Sequence, residues 1–240
     1  MRRLFALLAL AGAALLAAAG GASGQQGVGA IITRQVFESM LSHRGDSGCQ
    51  GAFYTYDAFI QAAGKFPAFG TIGDDQTRRR ELAAFFGQTS HETTGNLHTV
   101  DGQLLRGWPF AWGYCRVEEQ QRTDPPYYGR GPIQLTHKYN YEPAGRALKL
   151  DLVSSNPVVA FETAIWFWMT PQAAKPSCHD VITSRWVGGR WQPLLRDPDD
   201  RVGFYRMYCE MLGVAEGGNL SCEIQKPYGP TGYFATEIVK

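Results

Sequence analysis

Apolar residues recur along most of this chain at spacings of three and four, the repeat of a helix with one buried face. After Thr33, a residue suited to capping, Val36, Phe37, Met40 and Leu41 form the first such stripe, and Phe59, Ile60 and Ala63 continue the pattern. A third helix is predicted to begin near Asp75 and to carry Leu82, Phe85, Phe86 and Thr89 on one side. Glu92 follows Phe85 by seven positions, so a helix reaching that far sends a carboxyl from its inward face. Residues 158–169, with Phe161, Ile165, Trp166, Phe167 and Trp168, are apolar on nearly every side. They predict a buried central helix opened by Pro157; a buried strand is the alternative, but the run is long for one. A last helix is predicted over 200–212, with Val202, Tyr205, Tyr208 and Leu212 on one face and Gly213 ending it. Between Gly95 and Ile133, Gly, Pro and aromatic residues break the pattern and predict loops with a small hairpin.

The start of the chain follows another pattern. Arg2 and Arg3 precede an apolar run from Leu4 to Ala19, and the small residues Ala22 and Gly24 stand before Gln25 and Gln26. This predicts a secretory signal peptide over 1–24. A membrane-spanning helix is the competing reading, opposed by the Ala/Gly-rich run, its cleavage-like end and the lack of a second apolar span. Residues 25–240 then read as one domain with a sizeable core, without repeats or a long linker. Lys and Arg number 23 against 22 Asp and Glu, a balance that argues against an electrostatic grip on nucleic acid or an anionic membrane. A neutral polysaccharide suits it better. All 5 cysteines lie in the exported part, where disulfides persist, and their spacing matches no zinc site. His91 and Glu92 lack the second histidine of a zinc protease, whose place is taken by Gly95, and His98 and His179 stand isolated. No metal or cofactor is expected.

Chemistry concentrates in residues 90–136, in three blocks: Thr89-Ser90-His91-Glu92-Thr93-Thr94-Gly95, Phe110-Ala111-Trp112-Gly113-Tyr114-Cys115 leading to Glu119, and Tyr127-Tyr128-Gly129-Arg130-Gly131-Pro132-Ile133-Gln134-Leu135-Thr136. Two glutamates framed by aromatics, glycines, hydroxyls and amides are what cleavage of a glycosidic bond requires. One carboxyl must hold a proton for the leaving oxygen, and an ionised one must act on the opposite side of the sugar. Glu92, packed with Phe85 and Phe86, is expected to be partly desolvated, which raises its pKa and suits the acid. Glu119 lies beside Glu118 and Gln120 on a loop, where solvent keeps a carboxylate charged.

The three blocks together resemble the plant-type family 19 chitinases, and the resemblance runs over most of the chain after about residue 30. It implies a mainly α, lysozyme-like α+β domain, two-lobed with a substrate cleft. The implied activity is internal, inverting cleavage of β-1,4-linked N-acetylglucosamine polymers, with Glu92 as general acid and Glu119 as general base. Register from Tyr114 and Cys115 selects Glu119 over Glu118. Thr136 stands where the family has a serine that helps hold the attacking water, and Gln134 and Asn140 match residues that bond the acetamido group. His91, Tyr139 and Trp112 join them at the sugar, with structural packing an equal reading for Trp112. Arg201 matches an arginine that interacts with the acid; local pairing with Asp199 or Asp200 competes with that reading. Cys49 and Cys115 occupy positions bridged in the family, whereas the pairing of Cys178, Cys209 and Cys222 stays open and one thiol is left over in a monomer. The family further implies an extracellular or vacuolar protein, partnered by chitin or its oligosaccharides and acting in defence.

The chain also departs from the pattern. The loop over 120–126 is short and lacks its two cysteines, and beyond Trp186 a long family segment with an Asn-Xaa-Xaa-Asn-Gly-Gly motif is replaced by residues 187–195. Residues 103–108 form a small insertion between the glutamates. Two readings follow: an active chitinase with a reduced cleft, or a chitinase-like cell-wall protein that binds glycans with little or no turnover. Retention of Glu92, Glu119, Thr136, Gln134, Asn140 and Arg201 favours the enzyme.

Overall fold

In the computed structural model, residues 27–119, 126–171, 176–183, 198–217 and 220 are described. The predicted signal peptide, most of the loop over 120–126, residues 187–195 where a family segment was expected, and Cys222 lie outside them. Four helices begin where a side-chain oxygen meets their orphan N–H groups. Thr33 accepts from Val36 N at 3.2 Å to open α2 (Arg34–Met40), which follows the short α1 (Val28–Ile31). Thr55 does the same for α3 (Tyr56–Ala63) and Asp74 for α4 (Asp75–Glu92). A two-stranded antiparallel hairpin follows, β1 (Gly95–Asn96) with β2 (Ala111–Trp112), pairing Gly95 with Trp112. Next come α5 (Lys138–Ala147) and α6 (Pro157–Met169), the latter capped by Asn156 with Pro157 in its first turn. Two further helices, α7 (Cys178–Thr183) and α8 (Pro198–Met211), complete the described set.

The predicted stripes are the packed faces. Phe37, Phe59, Phe86 and Phe161 meet at centroid distances from 5.1 to 6.3 Å, joining α2, α3, α4 and α6 around one core. Such ring pairs add about 0.5–1.5 kcal/mol each beyond the area they bury. The run at 158–169 is the helix its length required, with Val159 through Ile165 all buried. Helix α8 lies antiparallel along α4: Arg201 near its start reaches Glu92 at the end of α4, while Arg79 near the start of α4 donates to the Leu212 carbonyl. Gly213, at φ 65°, ends α8 as expected, with Val214 N closing back on the Cys209 carbonyl.

Helix α5 is absent from the hydrophobic pattern read above. Pro143 and Gly145 lie inside it and interrupt the repeat that would have announced it. A buried carboxylate, also unannounced, secures α7. Glu81 of α4 accepts from Gly70 N at 3.0 Å, Trp168 Nε1 at 3.1 Å and His179 Nδ1 at 2.6 Å. His179 is thereby a structural group.

Candidate active site

Glu92 is the last residue of α4, and the helix places Gln88 one turn behind it on the same face. Gln88 Nε2 donates to Glu92 Oε1 at 2.7 Å, and Arg201 Nη2 donates to the same oxygen at 2.9 Å. Arg201 Nε donates in turn to Gln88 Oε1 at 3.1 Å, closing a triangle of side chains. The Glu92 side chain is 25% exposed and that of Arg201 13%, so this ion pair is screened by solvent less than a surface one. Asp200, one of the two suggested local partners for Arg201, instead accepts from Trp108 N at 2.6 Å, and the Asp199 side chain lies outside those described. Ser90 and Tyr208 hydroxyls, 2.7 Å apart, fasten α4 to α8 beside the triangle. His91 is half-buried next to Glu92, and its carbonyl accepts from Thr94 Oγ1.

Thr93 joins this arm to the next. Its hydroxyl accepts from Tyr114 N at 2.8 Å and its carbonyl from Cys115 N at 2.9 Å. The chain crosses Ser90 so closely at Gly113 that a Cβ there would lie 2.1 Å from Ser90 Oγ, a contact only glycine avoids. Cys115 is bridged to Cys49, as the resemblance implied, and Gln50 N donates to its carbonyl at 2.7 Å. Cys178 and Cys209 are free thiols; burial pushes them up to about 12 and about 11, so both stay protonated and unreactive at neutral pH.

Four residues past Cys115, Glu119 enters a ladder in which its N–H donates to Gly129 O and Gly131 N donates to Val117 O. Three side-chain oxygens converge on Gly129. A Cβ at that position would lie 2.9 Å from Gln134 Oε1, 3.2 Å from Thr136 Oγ1 and 3.3 Å from Glu119 Oε2. Glu119 Oε1 is buried without a hydrogen-bond partner among the described residues, a costly state for an acceptor unless a proton donor reaches it. Thr136 donates its hydroxyl proton to the Gln134 carbonyl at 2.7 Å, which leaves the hydroxyl oxygen to accept. The amide of Gln134 donates to Gly131 O and that of Asn140 to Thr136 O, so each spends an N–H on the backbone and keeps its oxygen.

Tyr139 is 69% exposed at the start of α5 and stacks on His137, ring centroids 5.3 Å apart. Trp112 is half-buried, its ring 5.3 Å from that of His43 and its Nε1 so near Gly95 that a Cβ there would lie 2.6 Å away. The non-glycine residues with positive φ among the described residues are Tyr114, Gln134 and His137, of which Gln134 shares the Gly129 cluster with Glu119. Each carries a left-handed backbone that costs of order 1 kcal/mol or more and that its surroundings must hold in place. Gln88 and Trp108 were not singled out as site residues from sequence, and Asp200 was weighed there only as a partner for Arg201. The four-residue step from Gln88 to Glu92 was a usable signal; the meeting of Trp108 with Asp200 left none.

A mostly helical, lysozyme-like frame carrying paired glutamates is the build of a glycoside hydrolase. The family model described as "Chitinase class I" matches residues 31–198. The chain therefore belongs to the family 19 chitinases, hydrolases of chitin. It is similar to Chitinase 11 of Oryza sativa subsp. japonica, 63% identical over 263 residues that cover 95% of this chain and 99% of that one. Those 263 residues exceed the 240 of this chain, so the relative has residues without counterpart here. It is also similar to the Basic 30 kDa endochitinase of Solanum lycopersicum, 46% identical with 88% of this chain and 78% of that one covered. Among solved structures, chitinase C from Streptomyces griseus HUT6037 matches with a TM-score of 0.61 and 26% identity, over 80% of this chain and 97% of that one.

Proposed function

We propose that this chain cleaves β-1,4-linked N-acetylglucosamine polymers internally and with inversion, Glu92 giving a proton to the leaving oxygen and Glu119 taking one from the attacking water. The observation that carries the assignment is the cluster around Gly129. There a carboxylate with an unmet buried oxygen lies beside a hydroxyl whose proton is already committed, a setting suited to hold a water by its hydrogens. Glu92, one backbone junction away at Thr93, keeps Oε2 for the transferable proton because both of its hydrogen bonds fall on Oε1. Gln134 Oε1 and the Asn140 amide oxygen would meet the acetamido N–H, while Tyr139, Trp112 and His91 border the sugar. A leader over 1–24, export, and a single monomeric catalytic domain over 25–240 belong to the same proposal.

Proton NMR of the first products from a defined N-acetylglucosamine oligomer tests the mechanism. Inversion at a β-linkage releases the α-anomer first; an initial β-anomer rejects it. Glu92→Gln should bind the oligomer but not cleave it. Binding without turnover by the parent chain itself would instead support the glycan-binding reading.

A further inference from the structure

Residues 103–108 end against helix α8. Trp108 N donates to Asp200 Oδ1 at 2.6 Å, and the Trp108 ring meets Phe204 edge-on, centroids 5.4 Å apart. The same ring lies so flat on Gly203 that a Cβ there would stand 2.4 to 2.8 Å from three of its atoms. One hairpin residue thus grips positions 200, 203 and 204, a single helix face, and Arg201 leaves the helix from the gripped turn.

The first turn of a helix is its weakest part, since its N–H groups lack intrahelical partners. An arginine asked to meet two acceptors at once needs a backbone fixed to within about 0.5 Å. Its long side chain would otherwise sample many rotamers, at a cost of about 2 kcal/mol to order. Asp200 is moreover a rival to Glu92 for the neighbouring guanidinium, and the Trp108 N–H occupies that rival.

We infer that Trp108 and Asp200 are positioning residues: the segment ending at Trp108 braces the start of α8 so that Arg201 delivers Nη2 to Glu92 and Nε to Gln88. The kinetic consequence rests on the reading of Glu92 as the acid; the geometric claim does not. The test compares Asp200→Ala and Trp108→Ala with the conservative Asp200→Asn, in the full chain. Asp200→Ala should lower kcat about tenfold with KM nearly unchanged, and Asp200→Asn, whose carbonyl still accepts, should recover most of it. In an Arg201→Ala background, Asp200→Ala should cost nothing further. Independently of activity, the Arg201 Nε–H followed by nitrogen-15 NMR should exchange with solvent about tenfold faster in Asp200→Ala than in the parent. Unchanged exchange, or a full additional loss in the Arg201→Ala background, overturns the brace. Faster exchange together with an active Glu92→Gln variant upholds the brace and rejects the acid assignment instead. If Trp108→Ala fails to fold, the Asp200 pair decides the matter unaided.

Discussion

The two glutamates are held by opposite means. Glu92 ends an 18-residue helix in regular geometry, and its carboxyl is fixed by side chains of α4 and α8, Gln88 and Arg201. Glu119 sits on irregular backbone whose ladder bonds, left-handed Gln134 and one glycine define its surroundings, with a carboxylate oxygen unmet among the described residues. The first arm spends ordinary helix stability and fixes a charge through other side chains. The second stores strain in Gln134 and His137 and keeps, among the described residues, an open valence. A proton donor must be aimed, whereas a base must leave room for the water it activates, and under the proposed roles each arm matches one of those demands.

The sharpest way to break this contrast is to neutralise each carboxyl. Glu92→Gln and Glu119→Gln should each lower kcat by about 10²–10⁴-fold on a defined oligomer. Equal retention of activity in either variant would remove that arm from the chemistry. Next in size is the footing of the helical arm. His179→Leu removes one of three donors to buried Glu81 and should cost about 3 kcal/mol by denaturant unfolding. Burial lowers the His179 pKa, but the hydrogen bond and charge of Glu81, with Asp180 adding, raise it further, so the net shift is upward. A raised histidine contributes its stability fully below its unfolded value of about 6.5 and loses it as pH rises through the higher folded value. The gap in melting temperature between parent and variant should therefore be widest below pH ~6.5 and should narrow as the solution becomes more alkaline.

Two glycines separate the arms more finely. Gly113→Ala drives a methyl into Ser90 and should destabilise the fold by about 2 kcal/mol, read as a lower denaturation midpoint. Gly129→Ala crowds Glu119, Gln134 and Thr136 instead, all of them side-chain tips that can give way. It should lower kcat about tenfold, equivalent to ~1.4 kcal/mol, with little change in midpoint. If the two substitutions exchanged effects, the division between a structural junction and a reactive pocket would fail.

The same contrast governs what could be read in the sequence. Helices α2, α4, α6 and α8 were legible because Phe37, Phe85, Ile165 and Tyr208 recur with the helical period and Thr33, Pro157 and Gly213 mark ends. The Cys49–Cys115 bridge and the pairing of Arg201 with Glu92 came from resemblance, since no periodicity links residues so far apart. The second arm was legible as motif but not as shape. Left-handed backbone is expected at Gly, Asn or Asp, and here Tyr114, Gln134 and His137 adopt it under tertiary constraint. Helix α5 escaped because Pro143 and Gly145 are breakers by local rule, overridden where Tyr141 and Ala144 find the core.

The bridge between Cys49 and Cys115 spans 66 residues and encircles α3, α4 and the hairpin. Tying off a ring of that size withdraws freedom from the unfolded chain worth about 4 kcal/mol in the loop-entropy picture, a large share of what an ordinary domain has to spare. Glu92 lies within that ring and Glu119 four residues beyond its closure, so one oxidation event ties both to a common perimeter. Made where thiols stay reduced, the same polypeptide would lack that allowance, and its competence to persist as an enzyme would depend on the compartment in which it was assembled.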